Sequence, residues 1–391
     1  MISRSKDLAV DLALYLGSAI FALGTAVWAT LPPHRLWGQI SWYGYAGATV
    51  IVGTLLAVRR PVARLSLTVL VWAAVAITPL IVEAAQGRAQ DEVIVVERAG
   101  QRLLDTGTPY LTRAAIAALP PDERLLGYVP YQPGMALFGL PRALAGTAWW
   151  TDARVWFALV TAAALAAALY LLRGAGDPVR PTQVVTVLPI CALTLAVGGD
   201  DLPVLALSLL ALALAARGRW LGAGLAVGVA GALKLFAWPV ALVLVAYAWT
   251  RGRPATAVPA LGLPVAALVP AFVVNRSAAV ENTVRLPLGH GLVSSPAASP
   301  LPGHLIAVGV PGGRTIAAAL LVAAALALGY RLVRHPPRDA GAAALFCTAG
   351  LLAAILLVPA TRFGYLLYPV AFGVWAPLLS RAAPAERRQK V

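Results

Sequence analysis

The sequence predicts an all-α integral membrane protein that crosses the bilayer many times. Hydrophobic residues make up 60% of the 391-residue chain and charged residues only 12%, whereas soluble domains are about half apolar and about a quarter charged. The apolar runs are long and rich in Ala, Leu and Val, which is typical of membrane helices. A β-barrel would instead show short segments of alternating hydrophobicity.

About twelve hydrophobic runs of spanning or near-spanning length follow one another, and each is expected to form a membrane helix. The first begins in a stretch that superficially resembles a signal peptide. It is expected to remain as an uncleaved helix, because its apolar part approaches spanning length and more runs follow. The runs are 8–30, 40–58, 65–84, 152–172, 182–197, 202–216, 220–234, 238–250, 255–274, 314–333, 341–360 and 365–380.

Short clusters of arginine and lysine occupy every second connection between these runs. The positive-inside rule places such connections in the cytoplasm, so both termini and a tail at 381–391 are predicted to be cytoplasmic. Membrane topology thus explains the net charge of +15, and no basic stripe with interleaved aromatic residues favours nucleic-acid binding. The clusters are Arg4/Lys6, Arg59/Arg60/Arg64, Arg173/Arg180, Arg217/Arg219, Arg251/Arg253, Arg331/Arg334/Arg338 and Arg387/Arg388/Lys390.

The connections on the opposite side contain nearly all of the unusual polar residues. Two of them are long, a first outer-face loop at 85–151 and a second at 275–313. The Pro, Tyr and Gly residues of "GYVPYQPG" favour fixed turns in the first loop over disorder. We therefore interpret residues 1–391 as one transmembrane domain whose chemistry lies on the extracytoplasmic face.

Acidic residues are concentrated in "QDEVIVVERAGQRLLDTGTPYL", which contains 4 of the 16 in the chain. Asp91 and Glu92 follow the third hydrophobic run, and Glu97 comes five residues after Glu92. The segment has the pattern of an amphipathic helix that lies along the membrane interface. The acids could stabilise the N-terminus of a solvated helix through its dipole, or they could supply a carboxylate for proton transfer.

Isolated cations end two of the apolar runs on the same side. Lys234 could extend to the interface, or it could contact a phosphate. Arg362 lies alone between two runs and needs either a protein carboxylate or a bound anion as its partner. Asp200 and Asp201, in the short turn "GGDD", could pair with these cations.

Cysteine and histidine give no indication of a metal site. Cys191 and Cys347 lie inside apolar runs, without the spacing of metal ligands and without an indicated disulfide. His290 and His304 lie fourteen residues apart in a Pro- and Ser-rich loop, where histidines more often form hydrogen bonds. We expect no metal and no cofactor, and the sequence leaves a divalent metal open.

These stretches together resemble the GT-C class of polytopic glycosyltransferases. The nearest family is glycosyltransferase family 87, the actinobacterial polyprenyl-phosphomannose-dependent mannosyltransferases and their relatives. The acidic loop here follows three predicted spans, whereas many enzymes of the class place it after the first. The resemblance covers most of the chain and rests on the order of "DEVIVVERAGQRLLDTGTPY", "YVPYQPGMALFGLPRAL", "GGDDLPVLALSLLALAL", "GLAVGVAGALKLFAWP" and "VPATRFGYLLYP".

The resemblance implies a GT-C-like fold with an outer-face lobe, in an enzyme of cell-envelope biosynthesis in the bacterial plasma membrane. It implies transfer of a sugar, with mannose as the first expectation, from a polyprenyl-phosphate donor to a lipid- or glycan-linked acceptor. An acidic residue of the first outer loop is the general base in this class, so Asp91 is the expected base, Glu92 the next candidate and Glu97 a supporting acid. Expected contacts to the donor phosphate are Lys234, Arg362 and Arg285, and those to the acceptor or substrate are Asp200, Asp201, Tyr110, Tyr131, Asn282, His290 and Tyr365.

Three other functions fit parts of the sequence. An arabinofuranosyltransferase of the same class is hard to separate from a mannosyltransferase. A transporter or lipid flippase would carry charged or broken helices near the bilayer midplane and polar residues on both faces. A structural membrane protein without catalysis would leave the shared location of Asp91, Glu92, Lys234 and Arg362 unexplained.

Overall fold

The fold is given by a computed structural model that describes residues 2–60 and 62–382, with side chains from residue 5 onward. Within these residues the chain forms helices and connections and contains no β-strand, apart from one isolated bridge between Ala298 and Thr361. The prediction of an all-α protein is therefore confirmed. The Arg387/Arg388/Lys390 cluster, nearly all of the predicted tail at 381–391 and the side chain of Arg4 lie outside the described residues.

Twenty α-helices follow one another along the described chain. Short 3₁₀ turns occur at Pro133–Gly139, Trp149–Thr151, Pro254–Thr256 and Phe363–Leu366, and π-helical turns at Ala73–Ile77 and Glu281–Arg285. The α-helices are α1 (Ile2–Trp28), α2 (Pro32–Ala57), α3 (Arg64–Trp72), α4 (Thr78–Ala85), α5 (Asp91–Thr106), α6 (Arg113–Ala117), α7 (Arg124–Gly127), α8 (Leu140–Ala145), α9 (Ala153–Leu171), α10 (Val179–Thr186), α11 (Pro189–Val197), α12 (Asp201–Ala216), α13 (Trp220–Leu233), α14 (Ala237–Trp249), α15 (Ala257–Val274), α16 (Arg276–Val280), α17 (Pro302–Gly309), α18 (Gly313–Arg334), α19 (Ala340–Leu357) and α20 (Leu367–Arg381).

Every predicted hydrophobic run overlaps a helix, but fewer helices than expected are long enough to cross a membrane. Three of the runs form the apolar helices α12, α13 and α14, each with fewer than 18 residues. A fourth, 182–197, forms α10 and α11, which meet at 44° and would make a ninth span if taken together. The count of twelve is thus not confirmed, since eight described helices pass by length and composition: Ser5–Trp28, Pro32–Ala57, Arg64–Ala85, Ala153–Leu171, Pro254–Val274, Gly313–Arg334, Ala340–Leu357 and Phe363–Arg381.

Proline explains two irregularities in the helices that pack against α2. Pro79 has no N–H, so the carbonyl of Val75, four residues earlier, loses its helical donor beside the π-helical turn. That carbonyl accepts hydrogen bonds from Trp37 Nε1 at 2.8 Å and Ser41 Oγ at 2.9 Å, both on α2. Pro189 begins α11 after extended backbone at Leu188, which ends α10 and produces the bend.

The connections between helices form two groups, one at each end of the helices, and the members of each group contact one another. At one end Arg64 binds the buried carboxylate of Asp11 at 2.6 Å, and Arg180 binds the same carboxylate at 2.7 Å. At the other end Arg154 donates to the carbonyl of Arg88 at 2.6 Å. These two groups of connections match the two sides of the membrane to which the arginine pattern assigned them. Which group faces the cytoplasm stays a prediction.

The first outer-face loop folds into a fixed layer over that second end. As predicted, α5 is amphipathic, because Val93, Val96 and Ala99 are buried while polar residues alternate with them. It crosses the turn Pro133–Gly139 at very close range, since a Cβ on Gly100 would lie 2.4 Å from the carbonyl carbon of Gly139. Glycine at both positions is therefore what allows α5 to lie directly against this turn.

Candidate active site

A cavity of about 1190 Å³ opens where the two outer-face loops meet the N-terminus of α5. Its charged residues come from four separate parts of the chain: the segment from Arg88 to Glu97, helix α8, the residue before α9 and the segment after α19. The charged lining residues are Arg88, Asp91, Glu92, Glu97, Arg142, Asp152 and Arg362, and the others are Leu31, Pro32, Pro33, His34, Gly87, Ala89, Gln90, Ile94, Pro296, Ala298, Ser299, Pro300, Phe363 and Gly364.

The acid pair lies in the first turn of α5, where backbone N–H groups lack helical partners. Gln90 precedes the helix in extended conformation, and its N–H donates to the carbonyl of Val197 at 3.3 Å. Carboxylates in this turn are stabilised by the helix dipole, typically by about 0.3–1 kcal/mol. This location suits both interpretations of the acids, stabilisation of the helix N-terminus and proton transfer. The contacts of Asp91 and Glu92 therefore have to show which residue suits which role.

The contacts of these carboxylates differ sharply. Glu92 forms a direct ion pair with Arg362, although 270 residues separate them in the chain. Glu97 forms an ion pair with Arg142, whose Nε lies 2.9 Å from the carboxylate, and accepts a hydrogen bond from the backbone N–H of Ala153 at 3.2 Å. The side chain of Asp91 is exposed at the cavity wall and has no ion pair or hydrogen bond with another described residue.

The environment of Glu97 favours its protonated form. Burial raises the pKa of Glu97 above its ordinary value, and the nearby carboxylate of Asp152 raises it further. Arg142 and the N–H of Ala153 act in the opposite direction without cancelling the effect. Glu97 is therefore a carboxyl group that carries a proton at higher pH than an exposed glutamate does.

A fully buried arginine fixes the cavity wall from behind. The Arg154 guanidinium binds both carboxylate oxygens of Asp152, at 2.9 and 2.7 Å, and Glu83 at 3.1 Å. It also donates to the carbonyls of Ala196 at 3.2 Å and Arg88 at 2.6 Å. One side chain thereby joins the end of α4, the segment before α5 and the end of α11.

Lys234 lies in a second polar cluster that does not line the cavity. Its ammonium contacts Asp200 at 2.7 Å and Asp201 at 2.6 Å. Tyr368 donates to the same oxygen of Asp201 at 2.7 Å. All of these side chains are buried. Two carboxylates on one ammonium leave this cluster with no free cation.

Two tyrosines flank the Lys234 ammonium, and one of them follows a cavity residue in the chain. The ring centroids of Tyr131 and Tyr365 lie 5.4 and 5.5 Å from the Lys234 ammonium, within the range of a cation–π contact. Tyr365 belongs to the short turn Phe363–Leu366, which begins next to Arg362. The segment from Arg362 to Tyr368 therefore contacts both sites, with Arg362 in the cavity, Tyr365 beside the Lys234 ammonium and Tyr368 on Asp201.

Four residues that were expected to contact substrate lie elsewhere and bind other parts of the protein. Tyr110 donates to the carbonyl of Tyr131 at 2.8 Å, inside the lobe. The buried amide of Asn282 accepts from the N–H of Val129 at 2.9 Å and donates to two carbonyls. Arg285 is 54% exposed and pairs with Glu281 at 3.5 Å, and His290 is exposed, with its carbonyl accepting from Arg113. None of the four lines the cavity.

The sequence analysis missed several residues of this site. Glu83 and Arg154 carried a usable signal, because charged residues inside or next to apolar runs need partners. Arg142 lies in "GLPRAL", within a stretch that the resemblance includes. His34 and Arg88 carried no such signal. Among the residues that the structure describes, no group of three or more His, Cys, Asp or Glu side chains is arranged to hold a metal ion.

Comparison with known proteins gives one family and one structure. The family model described as "Glycosyltransferase family 87" matches residues 128–359. The crystal structure of ArnT from Cupriavidus metallidurans in the apo state is similar with a TM-score of 0.47 and 18% sequence identity. That match covers 80% of this chain and 59% of the ArnT chain. No curated protein matches.

Proposed function

The chain belongs to glycosyltransferase family 87, and we propose that it transfers a sugar, mannose in the first instance, from a polyprenyl-phosphate donor to a hydroxyl of a lipid- or glycan-linked acceptor. Transfer takes place in the cavity at the start of α5, on the extracytoplasmic face of a bacterial plasma membrane. The observation that carries this proposal is the charge pairing in the cavity, which leaves the carboxylate of Asp91 unpaired among the described residues.

Asp91 is the general base in this proposal. A general base must reach the hydroxyl proton directly, and a carboxylate that already binds a guanidinium has lone pairs occupied by that partner. Glu92 is bound to Arg362 and Glu97 to Arg142, whereas Asp91 lines the cavity and has no such partner among the described residues. Glu92 is the next candidate, and Glu97 supports the site as an acid that holds Arg142.

The proposed reaction is a single displacement. Asp91 removes the proton of the acceptor hydroxyl as that oxygen forms a bond to C1 of the sugar. The bond between C1 and the phosphate oxygen breaks, its electron pair leaves with the polyprenyl phosphate, and the configuration at C1 inverts. The proton on Asp91 then passes to water or to the departing phosphate, which restores the carboxylate.

The departing phosphate needs cations, because negative charge develops on its oxygen as the bond breaks. Arg362 lines the cavity and, although paired with Glu92, retains further N–H donors. Arg88 also lines the cavity, and its guanidinium has no ion pair with a described residue. Lys234 would have to break two buried ion pairs to reach a phosphate. We therefore assign the phosphate to Arg362 and Arg88, and a structural role to Lys234, Asp200 and Asp201.

The test is transfer of radiolabelled sugar from polyprenyl-phosphate donors, mannose and arabinose separately, by membranes that contain the protein. Asp91→Asn should lower the rate by about 10²–10⁴-fold, the usual contribution of a general base. Asp122→Asn is the matched control, because Asp122 is an exposed acid of the same lobe that does not line the cavity. Equal rates for both variants, with the protein folded, would remove Asp91 as the base. Transfer from the arabinose donor alone would make the protein an arabinofuranosyltransferase.

A further inference from the structure

The hairpin of α1 and α2 supplies one wall of the cavity. Four residues at its outer end, Leu31, Pro32, Pro33 and His34, line the space that Asp91 also lines. The hairpin lies before the segment that the family model matches, residues 128–359. Asp91 also lies before that segment, so the hairpin and the proposed base belong to the same part of the chain.

This hairpin is held firmly enough to fix the location of its outer end. Trp37 and Ser41 bind the carbonyl that Pro79 leaves without a donor, and both side chains are fully buried. Tyr45 donates to the carbonyl of Val187, at the bend between α10 and α11, at 2.6 Å. The two helices of the hairpin also touch directly, because a Cβ on Gly38 would lie 2.4 Å from the backbone nitrogen of Ala26.

His34 faces the cavity because of its place in α2. The helix begins at Pro32, and prolines at its first two positions suit a helix start, since their missing N–H groups need no partner there. His34 then lies in the first turn, and the buried Trp37 follows three residues later on the same side of the helix. The imidazole contacts the side-chain amide of Gln90.

Gln90 and His34 are hydrogen-bonding groups next to the proposed base. Gln90 directly precedes Asp91, and its backbone is bound to Val197. Amide and imidazole groups recognise hydroxyls by hydrogen bonds, whereas phosphate recognition uses cations. The side chains here suit a hydroxyl-bearing ligand. The prolines and Leu31 present apolar surface beside them, which suits the C–H face of a sugar ring.

We propose that the outer end of the α1–α2 hairpin is the acceptor subsite. His34 and Gln90 bind a carbohydrate acceptor there and orient one of its hydroxyls toward Asp91. This assignment rests on the proposed glycosyl transfer. It makes the hairpin a determinant of which acceptor is used, while the donor phosphate is bound by the arginines.

The first test uses purified protein in nanodiscs, with octyl α-D-mannoside as the acceptor probe. His34→Ala should raise the KM for the mannoside about tenfold, as expected for one lost hydrogen bond, with the donor KM unchanged. Gln39→Ala is the control, because Gln39 is an exposed polar residue on α2 that does not line the cavity. An unchanged acceptor KM, or an equal rise in the donor KM, would overturn the assignment.

The second test does not depend on turnover. A His34→Cys variant is labelled with a maleimide in the presence or absence of the mannoside, and Cys191 and Cys347 stay unlabelled because both are buried. The mannoside should slow labelling of this variant and leave a Gln39→Cys variant unaffected. Protection without any sugar transfer by the wild type would refute the proposed function and retain the hydroxyl-binding subsite. Absence of protection would refute the subsite.

Discussion

Replacing Arg154 with methionine should strongly destabilise the protein and lower its activity. Methionine keeps most of the volume but removes every hydrogen bond that the guanidinium makes, to Asp152, Glu83 and the carbonyls of Ala196 and Arg88. Glu83, which is 0% exposed, would lose its ion pair, and Asp152, which is 2% exposed, would keep only the longer one to Arg142 at 3.9 Å. Breaking a buried ion pair from one side typically costs about 3–5 kcal/mol, and we expect a loss in that range.

The free energy of unfolding can be measured by titration with SDS in mixed micelles. Arg154→Lys keeps the charge but offers three donors on one nitrogen, which cannot reach acceptors on both sides of the guanidinium. We therefore expect an intermediate loss. Arg154→Met combined with Glu83→Met should recover part of the stability, because an apolar pair leaves one fewer buried charge.

The control for this experiment is Arg60→Met, because Arg60 is an exposed arginine at the other end of the fold. A change within about 0.5 kcal/mol is expected there. A loss below about 1 kcal/mol for Arg154→Met would refute the reasoning, since it would mean that the carboxylates find other partners or water. The combined variant being less stable than Arg154→Met alone would refute the assigned role of Glu83.

Two further predictions concern α5. The raised pKa of Glu97 means that its folded form favours the protonated acid. Wild-type stability should therefore fall, relative to Glu97→Gln, as pH rises from the ordinary glutamate pKa through the raised one, and become constant above it. Parallel pH profiles for the two proteins would contradict this. Gly100→Ala should cost about 1–3 kcal/mol in the same SDS titration, because its Cβ would lie 2.4 Å from backbone at Gly139. Gly47→Ala is the control, because a Cβ at Gly47 would meet no atom within 4 Å. Gly87→Ala would not serve, because Gly87 has a positive φ.

The hydrophobic pattern predicted the helices because helix formation depends on residues that are close together in the chain. The runs at 8–30 and 314–333 overlap α1 and α18 closely. The amphipathic helix after Gln90 was equally predictable, since its buried valines recur with helical spacing. The sequence also indicated that Arg362 needs a carboxylate or an anion, and the structure supplies Glu92 as that carboxylate.

Partner choice could not be predicted in the same way. Charge at a helix end is visible in the sequence, but which opposite charge approaches it depends on how distant helices pack. Lys234 pairs with two aspartates more than thirty residues earlier, which leaves it no free charge for a phosphate. His34 meets Gln90 across 56 residues. The count of twelve spans is not confirmed for a related reason, because α12–α14 are apolar like the candidate spans but have fewer than 18 residues each.

The carbonyl of Val75 has a consequence for how the protein enters the membrane. Inside a bilayer an unsatisfied backbone carbonyl costs several kcal/mol, because no water is present to bind it. In the helix Arg64–Ala85 this carbonyl lacks the usual N–H donor four residues later, so donors from another helix stabilise it. Those donors are Trp37 and Ser41, which are synthesised earlier and can already be in place. We therefore expect α2 to insert first and then to receive the helix that leads to Asp91.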